Sequence, residues 1–151
     1  MILQPTTPKE YPAPGEPPYM DQFSQTFIPP MLFVRTGQRT QFRNSDDVLH
    51  NVRVRESDTK EGMFNVAVPT GQVFNFTFPR DGFYDVGCDI HPGMSAQILS
   101  TSSPYVTVAA SDGSFVFEDV EAGSYVVTAY AGAQKLEKTI EVAGARTDVG
   151  F

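Results

Sequence analysis

Residues 82–98 read GFYDVGCDIHPGMSAQI, and how this stretch is read decides the rest of the chain. Two alternating apolar runs flank a short polar bend, the pattern of strand, turn and strand. The bend holds the chain's one cysteine, Cys88, then His91 after two residues and Met94 after two more. Pro92 and Gly93 make a tight bend easy. A thiolate, an imidazole and a thioether therefore arise from one turn. Tyr84, Val86 and Cys88 share a parity, so the cysteine points the way its apolar neighbours point. A buried cysteine taken alone is commonly a small hydrophobe; His91 and Met94 at this spacing weigh against that.

The other histidine, His50, stands in DVLHNV. Residues 50–55 alternate, with His50, Val52 and Val54 on the core face and Asn51, Arg53 and Arg55 on the other. A lone inward histidine is usually a hydrogen-bonded core residue, and His50 gains its meaning from the turn. Two imidazoles and a thiolate with a weak axial thioether are the donors of a mononuclear blue-copper centre, and no histidine or cysteine is left over. Thiolate and thioether favour Cu(I) while imidazole suits Cu(II), so such a site changes oxidation state with little ligand movement. The same nitrogen and sulfur donors also take zinc. Cys88 as nucleophile with His91 as base is a further reading, but it leaves His50 and Met94 idle. Met63, beside Phe64, reads as packing.

C-D-I-H-P-G-M after G-F-Y-D-V-G, with L-H-N-V upstream, resembles the cupredoxin family, and the short C-x-x-H-x-x-M loop is most similar to its amicyanin-like members. The likeness covers roughly residues 20–101. It implies a Greek-key β-sandwich holding one copper ion, with His50, Cys88 and His91 equatorial and Met94 axial. It also implies that Asn51 ties its strand to the cysteine loop. The function so implied is one-electron transfer to or from a redox partner protein (a cytochrome, an oxidoreductase or another cupredoxin), without enzymatic turnover, in a periplasmic or other extracytoplasmic setting. A copper-binding, copper-delivering or surface-adhesion module is the alternative.

The 151 residues are 40% apolar, ample for a core, and rich in Phe, Val, Thr and Tyr without sustained helical periodicity. The expected fold class is all-β. Net charge is −7; residues 1–103 carry 8 basic and 11 acidic groups and residues 104–151 carry 3 and 7, so nucleic acid is a poor partner. One cysteine excludes an internal disulfide, and no stretch approaches the 18 or so apolar residues of a membrane helix. The Met-Ile-Leu start has no basic segment before a long apolar run; the resemblance, with the extracytoplasmic setting it implies, makes the chain a mature or trimmed form.

Residues 1–19 contain six of the twelve prolines and read as an extended arm or linker, which would attach the unit to a membrane or a larger chain, or lie across the domain through Tyr11 and Tyr19. Residues 20–103 form the expected cupredoxin domain of eight short strands, with residues 72–78 placing Phe74, Phe76 and Phe78 on one face. In residues 104–151, strands are expected at 104–108, 114–117, 124–130 and 135–142. The run DGSFVFEDVEAGSYVVTAY is similar to carboxypeptidase-regulatory-like or transthyretin-like β-sandwich modules. Such modules open with a strand that the sequence does not display here. A sheet this small is marginal alone, which implies close packing with its neighbour.

Overall fold

The computed structural model describes every residue except 13, 133 and 145. It is all-β and divides into two compact units, Pro12–Ser102 and a second one built from Met1–Tyr11 together with Ser103–Phe151.

The larger unit, Pro12–Ser102, has two sheets. Five strands lie in the order β4 (Met31–Arg35), β10 (Ser95–Thr101), β9 (Gly82–Gly87), β6 (His50–Glu56) and β7 (Gly62–Val68). Four more follow the order β3 (Thr26–Ile28), β2 (Tyr19–Phe23), β5 (Arg39–Asn44) and β8 (Val73–Thr77). β4 runs parallel to β10 and β2 parallel to β5, and the other pairs are antiparallel. The alternation read in the sequence puts Val52, Val54, Tyr84, Val86 and Ile98 of one sheet against Met20 and Phe42 of the other, all buried. Phe64 meets Phe42, Phe74 and Phe76 at ring-centroid distances of 5.3, 5.0 and 4.6 Å. Each fully buried side chain of this size stabilises the unit by about 1.5–3 kcal/mol. Among its described residues the unit has nine strands where eight were expected. The additional one begins at Tyr19, a residue assigned to the arm: Met20 alternates inward and is wholly buried, and Tyr19 pairs with Gln41 of β5.

The smaller unit has one sheet among the described residues, in the order β11 (Tyr105–Val106), β1 (Ile2–Pro5), β12 (Gly123–Ala131) and β13 (Gln134–Val142). Here the arm reading needs correction. Ile2–Pro5 is an inner strand, antiparallel to β11 on one side and β12 on the other, with Ile2 and Leu3 buried. It is the opening strand that the sequence around residue 104 does not display. The Met1 ammonium donates to Thr107 O at 2.9 Å. Residues 114–117 are not a strand; Phe115 and Phe117 instead pack as side chains against the core of Leu3, Tyr125 and Val127. Tyr125 Oη donates to Glu121 O at 2.9 Å, and its ring stands edge-on to Tyr105.

Candidate metal centre

His50 opens β6 and pairs with Val68 at the end of β7. The loop before it is held by Asn44, whose Nδ2 donates to Val48 O at 2.9 Å and Val68 O at 2.8 Å, while its Oδ1 accepts from Asp46 N at 2.9 Å. One buried amide therefore fixes both the loop and the strand beside the histidine. The cysteine turn closes on itself: Met94 N donates to His91 O at 2.9 Å around Pro92 and Gly93, and Cys88 N donates to Met94 O at 3.3 Å.

These two segments bring His50, Cys88 and His91 of the sequence-expected donors together. His50 is wholly buried, Cys88 and Met94 nearly so, and His91 is half-buried. Cys88 Sγ lies 3.9 Å from His50 Nδ1 and 3.9 Å from His91 Nδ1, and the two Nδ1 atoms are 2.9 Å apart. The point equidistant from these three atoms lies about 2.1 Å from each, which matches the roughly 2.0–2.3 Å bonds that imidazole nitrogen and thiolate sulfur make to a transition ion such as zinc. The donor set fits a soft-to-borderline transition metal. Met94 shares the core cluster with Cys88.

The family model for copper binding proteins of the plastocyanin/azurin type matches residues 20–100, more than half of the chain. The chain belongs to that family. Solved structures agree on the fold of this plastocyanin/azurin-family protein. Amicyanin from Paracoccus versutus is 19% identical with a TM-score of 0.51, covering 65% of this chain and 96% of its own. A reduced amicyanin variant is 18% identical with a TM-score of 0.51, covering 66% and 99%. The Cu-containing nitrite reductase of Thermus scotoductus is 23% identical with a TM-score of 0.52, covering 70% of this chain and 26% of its own. Comparison with curated proteins gives no match. A second family model, polysaccharide lyase family 4, domain II, matches residues 65–149. Residues 65–100 fall under both matches and belong structurally to the larger unit, from the end of β7 to β10. Over residues 103–149, in the smaller unit, the match is to this fibronectin-III-like domain.

Around the donors lie Asp46, which the sequence reading passed over, and Asn51, which the resemblance implied. Asp46 Oδ2 stands 3.0 Å from His50 Nε2. The N–H of Gln25 and the His50 ring together hold the Asp46 carboxyl below its ordinary range, so it stays an acceptor. A ring that donates Nε2–H to a carboxylate keeps Nδ1 as its lone-pair donor, the usual second partner of a metal-ligating histidine. The one sequence signal was an acidic residue four positions before His50, too common to single out. Asn51 Oδ1 accepts from Asp89 N at 2.6 Å and Ile90 N at 3.3 Å and lies 3.2 Å from Cys88 Sγ. It thereby bonds β6 to the residues just after the cysteine.

Proposed function

We propose that the chain holds one copper ion in a type 1 centre and works as a one-electron carrier, with His50, Cys88 and His91 as equatorial donors and Met94 as the axial thioether. The observation that carries this reading is the donor triangle, whose size suits a single ion. Bound there, the ion supplies one-electron cycling between Cu(I) and Cu(II). The chain's own residues hold and shield it. Asp46 orients the His50 ring through Nε2, Asn51 fixes the cysteine turn, and burial of His50, Cys88 and Met94 excludes water. The half-buried His91 is the side of the centre nearest solvent and so the entry point for electrons.

Four protein donors leave no open position for a substrate, unlike a catalytic metal site. Both histidines and the single cysteine are committed, so no imidazole or thiol remains for a second centre, and we read the chain as a carrier and not an enzyme. Its partner is then another redox protein, and extracytoplasmic location accompanies that role. Among the described residues no helix is long and apolar enough to cross a membrane. The test is an optical and electron-spin-resonance spectrum of the copper-reconstituted chain. Intense thiolate-to-copper absorption, lost in Cys88→Ala, is expected; a colourless copper complex would sink the proposal.

A second reading, a module that holds or hands over copper at a surface, is favoured by the appended smaller unit, which electron transfer does not need. Slow exchange with every redox partner in stopped-flow, alongside ready copper handover, would select it.

A further inference from the structure

Asp89 follows Cys88 directly, placing a carboxylate next to the residue proposed as a thiolate donor. Its carboxylate is held from three sides although the residue lies exposed in the turn. Oδ2 accepts from Asn65 Nδ2 at 2.9 Å and from Asn51 Nδ2 at 3.1 Å, and Oδ1 pairs with Arg53 Nη1. Strand register explains how they meet. Arg53 of β6 stands opposite Asn65 of β7 on one side and Gly87 of β9 on the other, and Asn51 lies two residues along the same face. A Cβ at Gly87 would come within 3.2 Å of Arg53 Nη2, so the absence of a side chain there leaves room for the guanidinium. A cleft of about 430 Å³, lined by Arg53, Gly87, Cys88, Asp89 and Met94 among others, places this pair beside both sulfur donors.

The Asn51 amide is consequently gripped at both ends. Its Nδ2 donates to Asn65 Oδ1 at 2.8 Å as well as to Asp89, while its Oδ1 receives the amides of Asp89 and Ile90. We propose that Asp89, Asn65 and Arg53 are positioning residues for the Cys88 turn, and that Arg53 balances the Asp89 charge so that the carboxylate holds the turn without leaving an uncompensated anion beside the metal. The charge-balance half rests on the copper reading; the positioning half does not.

The experiment has two arms on the full chain. In the copper-loaded protein, Arg53→Gln leaves Asp89 unbalanced and favours Cu(II), while Asp89→Asn leaves Arg53 unbalanced and favours Cu(I). Each shifts the equilibrium between the two forms by about three- to tenfold, tenfold being about 59 mV for one electron. The double variant returns to within about twofold of the parent, and Arg53→Lys, which keeps the charge, stays there too. Shifts of one sign, or none, overturn the charge balance. In the metal-free protein, Asn65→Ala and Asp89→Ala speed amide hydrogen exchange at residues 89 and 90 by about tenfold relative to the rest of β9 and β10; unchanged exchange overturns the positioning role. A colourless copper complex would refute the carrier reading, and the exchange arm would still decide the positioning one.

Discussion

The two units solve the same problem with very different means. In the larger, thirteen buried side chains from Met20 to Ile98 form one core between two sheets. In the smaller, three side chains, Leu3, Tyr125 and Val127, are buried together on one sheet, and the first of these lies more than a hundred residues away in sequence from the other two. At about 1.5–3 kcal/mol per fully buried large side chain, the first core has stability to spare for a polar site at its rim, and the second depends on every strand it has. A site that buries His50 and Asn51 and holds a cysteine turn by several hydrogen bonds belongs in the first kind of unit.

The sharpest way to break that comparison is to remove β1. A chain lacking residues 1–5 loses the inner strand between β11 and β12, and the amide resonances of residues 103–151 should collapse to unfolded positions while those of residues 20–100 persist. Retention of both sets would show that the small sheet does not need its N-terminal strand. Next in size is metal linkage. Copper at about a hundredfold excess over its dissociation constant should stabilise the larger unit by about 2.7 kcal/mol. Cys88→Ala should abolish that gain along with the colour. A stabilisation that survives the substitution would place copper elsewhere.

A third expectation concerns alkaline pH and belongs to the smaller unit. Burial, with Tyr11 and Tyr105 beside it, pushes the Tyr125 phenol from 10 up to about 12. Below pH 10 folded and unfolded chains both keep the proton. Between pH 10 and about 12 the unfolded chain releases it and the folded one does not, so the stabilisation declines across that window. Unfolding measured against pH should show the decline, and Tyr125→Phe should remove it; an identical profile in the variant would contradict the assignment. The smallest effect is at Met94. Met94→Gln should keep copper but lower the reduction potential, because a harder amide oxygen favours Cu(II). An unchanged potential would mean that Met94 is not axial.

Period-two alternation made much of the larger unit legible because one polar face and one apolar face suffice to orient residues such as His50 and Cys88, whichever strands they pair with. The donors themselves were legible for a chemical reason: cysteine and histidine are scarce in this chain, so their spacing stands out. Asp46, Asn65, Arg53 and Asp89 were not, since Asp, Asn and Arg are common surface residues and only strand register shows that they converge. Ile2–Pro5 was hidden by its surroundings. Four residues beside a proline-rich stretch carry too little periodicity to announce a strand, and their partners on β12 lie at the other end of the chain.

That last pairing has a consequence for the order of events during synthesis. As the chain emerges, Ile2–Pro5 leaves the ribosome well before its partners at 105–106 and 123–131, whereas every partner needed by the copper-family strands is present once residue 101 is out. The larger unit can therefore be complete while Ile2–Pro5 is still unpaired. Strands made late capture one made early.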